Sequence, residues 1–218
     1  MTTSAVPGQS SGSLYTERVL IIDQQPKLVE INTEYALLDR HGRRLGAVVQ
    51  VGQSRLKKFA RFFGDFSNFF THQLEVRDAS ENLLLSLVRP RKVFKSRVVV
   101  EGSAGQSIGL IIQENWWGAK RFAMLVDGER VGTIHADGLL GPRIFSIVDA
   151  GGGEIARITR TTQGLHRAIT SAEKYVVEIH DHLREPIASL VLASALSINT
   201  ALMQVKSTTV GDLVTVIP

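Results

Sequence analysis

The chain has 218 residues, 44% hydrophobic and 21% charged, with a formal net charge of +4. That is enough for one sizeable core, with a mild bias toward anionic partners such as phospholipid or nucleic acid. The absence of cysteine excludes disulfides, thiolate metal sites, cysteine nucleophiles and thioester-linked lipid anchors.

Residues 1–14 open on MTTSAVPGQSSGS, which lacks the charged and apolar regions of a signal peptide. Its Ser, Thr, Gly and Pro content predicts a disordered leader, and the chain is expected to be cytoplasmic. A first strand is predicted near ERVLIID. A repeat follows: RRLGAVVQ, NLLLSLVR, QSIGLIIQ, ERVGTIHA, GEIARITR and EPIASLVL align on Gly46, Leu85, Gly109, Gly132, Ala156 and Ala188, with separations of 39, 24, 23, 24 and 32 residues. The first five are preceded by apolar runs ending in acidic or glycine-rich turns (YALLDRHG, LEVRDASEN, VVVEGSAG, FAMLVDG, FSIVDAGGG), which is the pattern of β-hairpins.

The first spacing exceeds the norm by about 15 residues, and RLKKFARFFGDFSNFF, Arg55 to Phe70, fills the gap as an insertion. It holds six of the nine phenylalanines, at helical spacing, after Arg55, Lys57, Lys58 and Arg61. This composition fits an interfacial helix; it equally fits a cap over the barrel with its phenylalanines turned inward. Further on, VRPRKVFKSR gathers Arg89, Arg91, Lys92, Lys95 and Arg97, a cluster suited to phosphates of nucleic acid, to anionic headgroups, or to a solvated rim.

GQSIG, from Gly105 to Gly109, matches a hydrolase nucleophile pattern, but it lies between two strands instead of on a strand-to-helix turn. It is read as a hairpin turn, and no enzyme is expected. Trp116 and Trp117, in ENWWGAK, fall in a connector, where they fit a membrane interface or packing on the barrel end. A last strand is predicted at KYVVEIH. Glu178, His180 and His182 would share a face there and could ligate zinc, although exposed polar residues at a turn explain them as well.

After Pro186 the run IASLVLASALSINTALM has helical length and composition, and a helix is expected over about 187–203. It would span roughly 26 Å, short of the ~30 Å hydrocarbon core of a bilayer. Five hairpins, an opening strand and a closing strand give about twelve strands, and a closed barrel of that size leaves a lumen. The apolar helix is the object to fill it. The predicted fold is therefore a mainly β, twelve-stranded antiparallel closed barrel around a central hydrophobic C-terminal helix, as one domain over 15–204 with a tail at 205–218.

The order of LLSLVRP, VVVEGSAGQSIGLIIQENW, RFAMLVDGERVGTI, FSIVDAGGGEIARITR and SAEKYVVEIHDHLREPIASLVLASALSIN resembles the phospholipid scramblase family and its tubby C-terminal-like and LURP-one-related superfamily, over Lys27 to Gln204. The resemblance implies the same barrel-and-helix fold and a role in binding phospholipids or moving them between leaflets. It also implies a calcium-binding loop before the terminal helix. Here Ser171 stands where the first acidic ligand is expected, with Lys174 and Arg184 nearby; Glu173, Glu178 and Asp181 are the acids that remain. Calcium takes six to eight oxygen ligands, so calcium control is not expected.

On this reading the partner is an anionic phospholipid membrane, met peripherally on the inner face of the plasma membrane. Arg55, Lys57, Lys58, Arg61, Arg91, Lys92 and Lys95 would face headgroups, and Phe62, Phe63, Phe66, Trp116 and Trp117 would form an apolar wedge. The alternatives are a soluble tubby-like binding or scaffold module without lipid transport, and a regulatory nucleic-acid-binding protein.

Overall fold

The computed structural model describes residues 14–24, 33–51, 70–90, 96–115, 117–138, 143–162 and 173–198. Twelve strands follow in order: β1 Val19–Gln24, β2 Thr33–Asp39, β3 Arg44–Gln50, β4 Phe70–Asp78, β5 Leu83–Pro90, β6 Arg97–Gly102, β7 Ser107–Gln113, β8 Arg121–Val126, β9 Glu129–Ala136, β10 Ile144–Asp149, β11 Glu154–Thr162 and β12 Glu173–Ile179. Each pairs antiparallel with its sequence neighbours, and β1 also pairs with β12, so the sheet closes as a barrel. Among the described residues one helix, α1, covers 187–198.

The repeat is a repeat of geometry. In the five hairpins the aligned residues Gly46, Leu85, Gly109, Gly132 and Ala156 stand opposite Leu37, Val76, Val100, Met124 and Ile147. Those five partners are fully buried. In each hairpin the register shifts immediately after the partner, a bulge that sharpens the bend a closed sheet needs. Gly109 shows why the aligned position is small. A Cβ there would lie 2.3 Å from the Leu125 carbonyl oxygen and 3.3 Å from Leu190 Cδ2 of α1.

The turns share one chemistry. Asp39, Asp78, Gly102 and Asp149 each donate a backbone N–H to the carbonyl four residues on, and the residue three on has positive φ: Gly42, Glu81, Gly105 and Gly152. The aspartates add side-chain caps. Asp39 Oδ1 accepts from the N–H groups of His41 and Arg43, both at 2.8 Å. Burial works to raise its carboxyl, but those N–H groups and the Arg43 guanidinium outweigh burial and hold it below the usual range. The third hairpin lacks the aspartate; there Gln106 Oε1 accepts from the Ala104 N–H instead.

The lumen is filled by α1, whose residues 188–198 are all buried. A helix apolar on every side is a core element. Its serines are satisfied internally: Ser194 Oγ donates to the Leu190 carbonyl and Ser197 Oγ to that of Ala193, both at 2.6 Å. At the other end Ser189 Oγ meets Tyr15 Oη at 3.3 Å.

The helix expected over 187–203 is thus described to residue 198, and 199–203 lie outside the described residues. Two expected boundaries need correction. Leu14, assigned to the disordered leader, is 3% exposed within the core, because one leucine beside Leu20 helps close the barrel around α1. Phe70, assigned to the insertion, opens β4, where it pairs with Pro90. Among the described residues no helix is long and apolar enough to cross a membrane.

Candidate functional site

Because neighbouring strands alternate in direction, successive connections alternate between the two ends of the barrel. The β2–β3, β4–β5, β6–β7, β8–β9 and β10–β11 connections are tight turns at one end, where α1 also enters. The other six, 25–32, 51–69, 91–96, 114–120, 137–143 and 163–172, leave from the opposite end. The turn end and the connector end differ sharply in composition. The five turns carry two Lys/Arg against two Asp/Glu and no Phe or Trp. The six connectors carry 11 Lys/Arg against four Asp/Glu, with eight of the chain's eleven Phe and Trp. The topology therefore joins the segments whose sequences are rich in cations and aromatics to one end of the barrel.

The described part of that end is built for display. Trp117 is 90% exposed, the one exposed large hydrophobic among the described residues. Asn115 spends its whole amide on the loop that carries it: Nδ2 donates to the carbonyls of Trp117 (2.8 Å) and Ala119 (2.7 Å), and Oδ1 accepts from the Arg121 N–H (2.9 Å). Gln113 Nε2 adds a bond to the Asn115 carbonyl at 2.8 Å, and Gly118 takes φ +83 to let the chain turn. An indole on a loop fixed in this way meets a partner with little ordering cost. Around it Arg97, Arg121 and Arg143 are exposed and make no ion pair with a described residue.

Of the residues expected to meet headgroups, Arg55, Lys57, Lys58, Arg61, Arg91, Lys92 and Lys95 all lie outside the described residues, as do Phe62, Phe63, Phe66 and Trp116. Their segments are tied to the connector end by the described termini of β3, β4, β5 and β6. One observation bears on the stretch between β3 and β4. On the outer face of β3 to β6, Ala47, Glu75, Ser86, Val88 and Glu101 are buried although they point away from the lumen. Burial raises the Glu101 carboxyl.

The acids expected to remain for calcium are not brought together. Glu173 starts β12 at the connector end, Asp181 follows β12 at the turn end, and Glu178 is exposed on the outer face. Lys174 Nζ bonds Asp23 Oδ2 at 3.1 Å. His180 Nδ1 lies 3.4 Å from the Glu154 carbonyl, and no three potential ligands among the described residues form a metal cluster. GQSIG closes the β6–β7 turn and starts β7, as its place between strands predicts. Asn115 was not singled out from the sequence; the signal available was an Asn-aromatic-Gly run in a short connector.

Two comparisons bear on identity. A solved structure of an Arabidopsis thaliana protein aligns with 86% of this chain and 94% of its own, at 11% identity and a TM-score of 0.48. No curated protein matches the chain. The family model described as Scramblase matches residues 3–203. The barrel, its central helix and that match over most of the sequence together place the chain in the Scramblase family.

Proposed function

We propose that this protein binds anionic phospholipid bilayers peripherally, through the connector end of its barrel, and moves phospholipid between leaflets without calcium control. The observation that carries the reading is the asymmetry of the segments joined to the two ends: excess cations and most of the large aromatics belong to the connectors of one, with Trp117 held out on a braced loop. Basic residues near an anionic surface contribute roughly 1 kcal/mol each, and tryptophan favours the interface. Family membership supports phospholipid as the partner.

The separation of Glu173 from Asp181 along β12 supports independence from calcium. With α1 buried in the lumen, the bilayer is met from outside, and the inner face of the plasma membrane is the proposed location because its anionic lipid matches the charge.

The test is co-sedimentation with phosphatidylserine-containing and pure phosphatidylcholine vesicles, with a leaflet-exchange assay on the same samples, each with calcium and with chelator. Binding selective for anionic vesicles, with exchange unchanged by chelator, is the expected result. Binding without exchange reduces the protein to a lipid-recognition module, and binding to neither vesicle overturns the reading.

A further inference from the structure

Two strands finish inside the lumen on a guanidinium. In β5, Leu85 and Leu87 point inward at 1% and 3% exposure, and strand alternation carries Arg89 to the same face at the connector end. Arg89 is 8% exposed. Its Nη2 donates to Ser96 Oγ at 3.1 Å, and none of the ion pairs among the described residues includes it.

On the opposite wall, six strands away around the barrel, β11 repeats the pattern. Ala156 and Ile158 are fully buried, and Arg160 follows on their face, in register with buried Tyr175. Arg160 is half-buried, and its Nε is enclosed with no hydrogen-bond partner among the described residues.

A buried arginine such as Arg89, or a guanidinium nitrogen enclosed like Arg160 Nε, is ordinarily paired with a carboxylate, because an uncompensated buried charge is strongly destabilising. Closure of the barrel does not require a cation at either position, since a long apolar side chain would fill the same space. Burial also lowers the pKa of Arg89, as expected of a cation whose compensating charge is not part of the wall. The planar guanidinium fork matches the oxygen pair of a phosphate, and the Ser96 hydroxyl beside Arg89 adds another donor.

We propose that Arg89, with Ser96, and Arg160 are two phosphate-binding subsites at the connector end of the lumen, one on each wall beside α1. Each takes the phosphate of an anionic headgroup that the exposed cations of this end have already attracted. The inference rests on the membrane-lipid reading only for the source of the phosphate.

The test compares the full chain with Arg89→Gln, Arg160→Gln, Arg89→Lys and, as an outer-face control, Arg157→Gln. Thermal unfolding is followed in rising inorganic phosphate at constant ionic strength, and vesicle co-sedimentation is run in parallel with phosphatidylcholine alone and with added phosphatidylserine. A ligand that binds only the folded state raises the midpoint. Phosphate or anionic vesicles should stabilise or capture the wild type, while each Gln variant binds roughly tenfold more weakly, as for one lost charge-assisted pair. Arg157→Gln should bind like the wild type. Without ligand, Arg89→Gln should be at least as stable as the wild type, because it removes an uncompensated charge.

A response to vesicles alone assigns the phosphate to lipid; a response to free phosphate alone keeps the subsites and removes the lipid reading. A wild type that responds to neither probe overturns the proposal. So do Gln variants that bind like the wild type, or an Arg89→Gln that is less stable with binding unchanged. If Arg89→Gln does not fold, Arg89→Lys keeps the charge and loses the fork; binding equal to wild type in that variant also overturns it.

Discussion

Gly109→Val should lower the thermal unfolding midpoint of the barrel markedly. The new Cβ would approach the Leu125 carbonyl oxygen to 2.3 Å, and that carbonyl belongs to a backbone paired with Leu110 in the β7–β8 ladder. It cannot withdraw without breaking the ladder. The two added methyls would press toward Leu190, already 3.3 Å from the Cβ position and fully buried. Overpacking of this kind costs about 3 kcal/mol or more, against a total stability of about 5–15 kcal/mol. For a chain of this size the midpoint should fall by roughly 10 °C.

Gly138→Ala is the control. A Cβ there meets nothing within 4 Å, and surface changes of this sort stay within about 0.5 kcal/mol. Thermal and urea unfolding of both variants checks the claim that α1 and the repeat's small positions form one packed unit. A Gly109→Val whose midpoint matches that of the wild type would contradict it.

Replacing Arg55, Lys57, Lys58 and Arg61 with Gln should weaken binding to anionic vesicles by roughly a thousandfold at low salt, taking about 1 kcal/mol per cation. The difference should shrink as ionic strength rises. Arg40→Gln, on an exposed turn at the opposite end, should leave affinity unchanged. A companion variant, with Phe62, Phe63 and Phe66 replaced by Ser, separates the two readings of the phenylalanine stripe. Weaker binding by a folded protein places the stripe at the membrane. Unfolding assigns it to core, in keeping with the buried outer face of β3 to β6.

The barrel was legible because its information is local and repeated. Turn residues at Asp39, Asp78, Asp127-Gly128 and Asp149 punctuate alternating strands, and the aligned residues, small in four of the five hairpins, mark one inward position per hairpin. The central helix was legible from length and composition, since no other apolar run is long enough to fill the lumen. The bulge opposite each aligned residue was not, because it follows from closure of the sheet and not from any residue preference.

The site was legible only as composition. Cations and aromatics at 55–70, 91–95 and 116–117 stand far apart in sequence, and strand direction alone sends them to one end. Asn115 was invisible for a different reason. Its role lies in four hydrogen bonds, two within the connector 114–120 and two to the strand residues Gln113 and Arg121 that flank it, and an asparagine in a polar connector carries no such mark. Arg89 and Arg160 were hidden in plain alternation: Leu85, Leu87, Arg89 and Ala156, Ile158, Arg160 each end an inward series on a charge. A basic cluster in VRPRKVFKSR drew Arg89 into the surface, whereas the pleat turns it inward.

Both tryptophans of the chain, Trp116 and Trp117, belong to the connector 114–120, so intrinsic fluorescence reports on the connector end alone. The most direct measurement is tryptophan emission on titration with phosphatidylserine vesicles containing brominated phosphatidylcholine. A blue shift with strong quenching, absent with neutral vesicles, is the predicted result. Protein that co-sediments with the anionic vesicles while its emission stays unshifted and unquenched would place the bilayer against another face and contradict the account.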